Sequence, residues 1–177
     1  GSTVAENLER IGYAGSAPVG AARVDTYVEL HIEQGPVLDR EGVTIGAVEG
    51  VQGISWTRFE LAGVSNHAGT TPMRLRRDAG LTAARVACFA RDLARELGGD
   101  QVATVGSMNF QPNLVNVIPN RVTFTVDLRN TDESILAAAE ERLWAFAAQA
   151  AGDEGVEWKR ESLARFEPVR FDPRLID

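Results

Sequence analysis

The feature that most constrains this chain is the order of its apolar patterns between residues 45 and 163. An alternating, strand-like stretch gives way to helical spacing, then to two alternating stretches, a second helical spacing and a last strand. The clearest strand, residues 121–129, places four apolar side chains on one side. This order predicts an α+β domain of the ferredoxin-like, split βαβ type, in which two helices cover one face of a four-stranded antiparallel sheet.

The segments on either side do not fit this pattern. Residues 46–163 are therefore interpreted as one domain, and residues 1–45 and 164–177 as pieces of a second, α/β domain. In the first piece, residues 27–33 alternate strictly in polarity, which predicts a further strand. The opening Gly1 and Ser2 resemble the scar of a cleaved tag, which predicts a deliberate cut.

Composition excludes several classes of function. The 177 residues include 18 basic and 25 acidic side chains, and the net charge is −7. Because the arginines alternate with carboxylates, nucleic acid is not an expected partner. No membrane span or signal peptide is recognisable, so we expect a cytoplasmic protein without membrane contact. The single cysteine, Cys88, has apolar neighbours and predicts a packed thiol.

The polar face of the segment 27–33 carries residue types that bind metals. Glu29, His31 and Glu33 would follow one another about 6.6 Å apart on a strand. Imidazole and carboxylate are ligands that zinc and manganese accept. The alternative is an ordinary solvated face, and the spacing alone favours it because a catalytic metal needs at least three converging ligands.

Three further residues could contact a substrate. His67 lies in a polar loop, where it could donate a hydrogen bond to an oxyanion or be a plain exposed histidine. Arg129 could fork two hydrogen bonds onto a carboxylate or simply pair with Asp127. Asn116 could equally be a turn former. The residues alone do not decide between these alternatives.

Five motifs carry a family resemblance: HIEQGP at 31–36, GVQGISW at 50–56, NHAGTTPM at 66–73, NLVNVIPN at 113–120 and DLRN at 127–130. Together they resemble the hydantoinase/carbamoylase branch of the dinuclear metallo-amidohydrolases. That branch contains N-carbamoyl-L-amino-acid hydrolases, allantoate amidohydrolases and β-ureidopropionases, and is related to aminoacylases and carboxypeptidase-type metallopeptidases. The resemblance implies that residues 46–163 are a lid and dimerisation domain and that the flanks belong to a catalytic domain.

The resemblance also implies roles for single residues. His31 corresponds to a metal ligand and Gln34 to a residue close to the substrate. His67 corresponds to the lid histidine that reaches the partner's active site and polarises the scissile carbonyl. Asn116 and Arg129 correspond to a substrate-binding pair, in which the arginine holds the substrate carboxylate. Glu29 and Glu33 have no such counterparts.

The family's other metal ligands and its general base lie outside this sequence. We therefore expect two divalent ions, zinc or manganese, in the intact parent enzyme, none fully bound by this segment, and no activity of the segment alone. The expected parent is a homodimer, joined through the lid, that hydrolyses linear amides bearing a carboxylate, with N-carbamoyl-L-amino acids as the first choice. The alternatives are allantoate, which Trp56 disfavours, β-ureidopropionate, or a noncatalytic ferredoxin-like dimerisation or ligand-binding module.

Overall fold

The computed structural model describes residues 1–176 and divides the chain into two compact units. The N-terminal unit is Gly1–Gly46, and the C-terminal unit begins at Ala47. Asp177, the last residue of the segment assigned to the second domain, lies outside the described residues. No helix in the described part of the chain is long and apolar enough to cross a membrane.

The N-terminal unit contains two short helices, α1 (Val4–Arg10) and α2 (Val37–Glu41). The strand predicted at residues 27–33 is wrong, because this segment has no regular structure. Its apolar side chains Val28, Leu30 and Ile32 are exposed. A strand is stable only when a neighbour satisfies its backbone hydrogen bonds, and no described residue pairs with this segment.

The C-terminal unit has two long helices and two sheets. The helices are α3 (Ala79–Leu97) and α4 (Glu133–Glu154), with a 3-10 turn at Met73–Leu75 and a last helix, α5 (Pro173–Ile176). The strands are β1 (Gly50–Val51), β2 (Gly53–Ala62), β3 (Val102–Gln111), β4 (Arg121–Asn130), β5 (Glu157–Phe166) and β6 (Val169–Arg170). The four long strands form an antiparallel sheet in the order β3-β4-β2-β5, and β1 pairs with β6. The predicted α+β class and four-stranded antiparallel sheet are confirmed.

The core lies between one face of the sheet and both long helices. Strand β4 alternates as its sequence predicts, and its apolar side chains are at most 1% exposed. Phe59 of β2 stacks on Phe124 of β4, with ring centroids 5.0 Å apart. Trp56 is 41% exposed, because the two-residue repeat of β2 turns Ser55 and Thr57 inward instead. Trp56 therefore lies on the open face of the sheet.

One local prediction on the helices is also wrong. Cys88 is exposed, because it lies on the outward side of α3 while Val86 faces the core. The N-terminal cap of α4 is Asp132, whose carboxylate accepts the backbone N–H groups of Ser134 and Ile135. Asn130 accepts the N–H of Asp132 and so holds the turn before the helix.

Candidate functional site

The loop between β2 and α3 places His67 opposite Val117 and brings the backbone of Asn116 next to this loop. The N–H of Ala68 donates to the carbonyl of Asn116 at 2.9 Å, and the N–H of Ile118 donates to the carbonyl of Asn66 at 2.9 Å. These bonds join the two loops as an isolated antiparallel bridge. Two residues that lie far apart in sequence are thus neighbours at one end of the sheet.

A close backbone approach fixes the base of the His67 loop. Gly63 packs so tightly that a Cβ atom at this position would lie 2.1 Å from the carbonyl oxygen of Arg77. That oxygen accepts the N–H of Val64 at 2.9 Å, and the N–H of Gly63 donates to Asn120 at 2.8 Å. Only glycine fits here, so the loop leaves the sheet along one defined path.

The His67 ring has a defined tautomer. The backbone N–H of Gly69 donates to Nδ1 of His67 at 3.0 Å. Because a backbone N–H can only donate, Nδ1 must be unprotonated, and the neutral imidazole carries its proton on Nε2. The side chain is exposed, so this Nε2–H can donate to a molecule outside the loop. Such a donor can stabilise the negative charge that develops on a carbonyl oxygen during hydrolysis.

Arg129 lies on the open face of the sheet and is already paired. Its Nε donates to Asp127 at 3.1 Å and its Nη2 at 2.9 Å, which raises the pKa of the guanidinium. Its central carbon lies 6.0 Å from the centroid of the Trp56 ring, within cation–π range. Nη1 makes no hydrogen bond to residues 1–176, so one end of the fork stays available to an external carboxylate.

Arg129 and the His67–Asn116 pair occupy opposite ends of the sheet. Arg129 pairs with Ile54 at the start of β2, whereas the His67 loop follows Ala62 at its end. The eight steps along the strand from Ile54 to Ala62 span about 27 Å of extended chain. The predicted substrate-binding pair is therefore not brought together within one chain, because Asn116 lies beside His67 instead.

His31 and Gln34 belong to the N-terminal unit, where both are exposed. Nδ1 of His31 lies 2.5 Å from the carbonyl oxygen of Ile32, which can only accept, so the ring proton is on Nδ1. The Nε2 lone pair is left free, and this is the usual arrangement of metal-binding histidines. Gln34 adopts a left-handed backbone conformation with φ of 54°.

The neighbouring glutamates have structural partners. The Glu33 carboxylate accepts the N–H groups of Val37 and Leu38, at 2.9 and 3.1 Å, and so caps α2. Glu29 accepts the hydroxyl proton of Tyr27. Among residues 1–176, no three His, Cys, Asp or Glu side chains are grouped so that they could hold a metal ion. His31 therefore offers one ligand of the type a divalent metal needs, and its companions would have to come from elsewhere.

Comparison with known proteins gives the family. An N-carbamoyl-L-amino-acid amidohydrolase of Rhizobium meliloti is 41% identical over 177 residues, which are 100% of this chain and 42% of that protein. A solved amidase of the hydantoinase/carbamoylase family from Burkholderia multivorans has a TM-score of 0.90 and 44% identity, covering 97% of this chain and 42% of that one. The chain belongs to the hydantoinase/carbamoylase amidohydrolases. The resemblance carried by the five motifs is thereby confirmed.

An allantoate amidohydrolase matches a shorter part of the chain. An allantoate amidohydrolase of Escherichia coli is 43% identical over 113 residues, which are 64% of this chain and 28% of that protein. No family model matches the chain. The chain spans less than half the length of these relatives.

Sequence reasoning missed one residue of this region. Arg76 donates to two carbonyl oxygens of the His67 loop, Ala68 and Thr71. The sequence offers Arg74, Arg76 and Arg77 within four positions, and no periodicity distinguishes the one that turns back onto the loop.

Proposed function

We propose that this chain forms the lid and dimerisation portion, with adjoining catalytic-domain segments, of an N-carbamoyl-L-amino-acid amidohydrolase. Residues 46–163 would be the lid, and residues 1–45 and 164–177 would belong to the catalytic domain. The observation that carries the proposal is the match to a carbamoylase along all 177 residues at 41% identity. The allantoate amidohydrolase match spans 64% of the chain, which makes allantoate the second choice.

The proposed active site combines residues of two subunits. His67 and Asn116 would enter the partner's active site together, because the backbone bridge makes them move as one unit. Arg129 would serve the active site of its own subunit. It lies at the end of the sheet where β2 begins and β5 ends, which is where the chain enters and leaves the lid. A separation of about 27 Å supports this division, since a small substrate cannot bridge it within one copy.

Each residue would have a distinct task in hydrolysis. Arg129 would hold the substrate carboxylate with its free Nη1, and Gln34 would lie close to the substrate. His67 would donate its Nε2–H to the developing oxyanion, with Asn116 beside it. His31 would offer its free Nε2 to a divalent ion, zinc or manganese. Two such ions, when bound, supply Lewis-acid polarisation and lower the pKa of a bound water.

The edges of the sheet support a homodimer through the lid. Strand β5, one edge, carries five charged residues among its ten, as protected edge strands commonly do. Strand β3, the other edge, carries none among its ten, and its Val102 and Phe110 are exposed. An uncharged edge of this length is suited to antiparallel pairing with a second copy. We also propose the cytoplasm as the location, since its only cysteine is free and exposed.

The proposal is tested by ammonia release from the full-length parent enzyme with manganese. The substrates are a panel of N-carbamoyl-L-amino acids, allantoate and β-ureidopropionate. We expect turnover of N-carbamoyl-L-amino acids, and a loss of about 10²–10³-fold in kcat for His67→Ala. Ser65→Ala, an exposed change in the same loop, is the matched control. Turnover of allantoate alone would select the second choice, and no turnover with metal bound would favour a noncatalytic dimerisation module.

A further inference from the structure

The His67 loop is held by an arginine to which the proposed mechanism assigns no task. Arg76 is half-buried, and its Nη2 donates to the carbonyl of Ala68 at 2.6 Å while its Nε donates to Thr71 at 3.1 Å. Among the described residues it has no carboxylate partner within 4.0 Å, unlike Arg129, which pairs with Asp127. Within residues 1–176, its guanidinium therefore binds backbone carbonyl groups of the His67 loop and no carboxylate.

One peptide unit connects Arg76 to the imidazole. The carbonyl of Ala68, which accepts from Arg76, and the N–H of Gly69, which donates to Nδ1 of His67, belong to the same planar peptide group. A guanidinium that fixes the carbonyl therefore also fixes the direction of the N–H. Hydrogen bonds in such a chain polarise one another, so a charged donor on the carbonyl strengthens the bond at Nδ1.

We propose that Arg76 is a positioning residue that holds His67 in the tautomer with its proton on Nε2, so that Nε2 can donate a hydrogen bond. If this peptide flipped, a carbonyl would face Nδ1 and select the opposite tautomer. Nε2 would then carry a lone pair and could no longer donate to an oxyanion. The catalytic consequence rests on the proposed function, whereas the tautomer itself does not.

The tautomer can be measured on this 177-residue chain. It has only two histidines, so long-range ¹H–¹⁵N correlation spectra at about pH 8.5, where imidazoles are ordinarily neutral, separate them readily. His31→Ala assigns the signals. We expect an unprotonated Nδ1 and a protonated Nε2 for His67, and averaged nitrogen shifts in Arg76→Met. Arg74→Met, an exposed change two positions away, is the matched control and should keep the wild-type pattern.

The catalytic consequence is measured on the full-length enzyme. In Arg76→Met we expect kcat to fall about tenfold to a hundredfold with KM within about twofold, because the change misplaces a donor and leaves the groups that bind the substrate intact. Arg76→Lys keeps the positive charge but loses the two-nitrogen geometry of the guanidinium. It should partly restore the wild-type His67 nitrogen shifts and kcat, and it remains informative if Arg76→Met does not fold.

Unchanged His67 shifts in folded Arg76→Met, or a wild-type His67 with its proton on Nδ1, would overturn the inference. An unchanged kcat in Arg76→Met would overturn its catalytic part. If the wild-type parent hydrolyses nothing in the panel, the proposed function fails, while the expected tautomer in wild type and its loss in Arg76→Met would still establish the role of Arg76.

Discussion

The two units of this chain are built in opposite ways, and each contains one histidine. None of the described residues 1–46 is buried, and Leu30 is 93% exposed. The C-terminal unit instead packs a continuous apolar core, in which Leu128 is 1% exposed. The C-terminal unit therefore contains its own source of stability, whereas residues 1–46 do not bury an apolar core of their own.

The two histidines also differ, in which ring nitrogen carries the proton. His31 donates from Nδ1 to a neighbouring carbonyl, so its Nε2 carries a free lone pair. His67 accepts at Nδ1 from Gly69, so its Nε2 is ready to donate. The loop around His67 is also tied to Asn116 and Arg76. The exposed Nε2 of His31 therefore carries a lone pair, whereas the exposed Nε2 of His67 carries a proton.

The largest expected effect is a difference in the free energy of unfolding when leucine is replaced by alanine in one unit or in the other. Leu128→Ala removes a fully buried side chain and should lower the free energy of unfolding by about 2–5 kcal/mol. Leu30→Ala alters an exposed side chain and should change it by less than about 0.5 kcal/mol. Chemical denaturation of this chain, followed by circular dichroism, measures both. Equal losses would contradict the division into a packed unit and an unpacked one.

A smaller effect should follow Asp127→Asn in the full-length enzyme. The Asp127 carboxylate orients the Arg129 guanidinium through Nε and Nη2, so its loss should leave Nη1 poorly aimed. We expect KM to rise about tenfold while kcat, which the proposed mechanism assigns to His67, changes less than about twofold. Initial-rate kinetics of the wild type and of Asp127→Asn measure both constants. A lower KM would mean that Asp127 competes with the substrate carboxylate for Arg129.

The smallest expected effect is a difference in how the two histidine rings respond to zinc, which depends on their tautomers. Zinc added to this chain should perturb the His31 resonances first, because its Nε2 lone pair is free. His67 would have to give up the hydrogen bond from Gly69 or lose its Nε2 proton before it could bind. Nuclear magnetic resonance titration follows each ring separately, with His31→Ala as the control. If His67 responded at lower zinc concentration than His31, the assigned tautomers would be contradicted.

The fold of the C-terminal unit could be predicted because its strands and helices bury one side each. Alternation in residues 121–130 and helical spacing in α3 and α4 both follow from that burial. The same alternation at residues 27–33 gave a wrong prediction. Alternating polarity indicates which side of a strand would be apolar, but it does not show that another strand is present to pair with it. The exposed position of Trp56 could not be predicted either, because residue type alone does not tell which face of a strand a side chain occupies.

The site was only partly predictable for a related reason. The resemblance named His31, Gln34, His67, Asn116 and Arg129, but it could not show that Asn116 lies beside His67 rather than beside Arg129. Spatial neighbours of this kind depend on strand register, which connects residues far apart in sequence. The role of Arg76 depends on the orientation of one peptide group, which no side-chain pattern records.

The central claim is that His67 and Arg129 of one chain serve different active sites of a dimer. Full-length His67→Ala and full-length Arg129→Ala, each nearly inactive alone, can be mixed and their subunits exchanged. In the mixed dimer, one site would receive a wild-type Arg129 from its own subunit and a wild-type His67 from its partner. The account predicts that ammonia release recovers to about half the wild-type activity per mixed dimer. If the mixed dimers form and stay inactive, the two residues act on the same site from one chain, and the account is wrong.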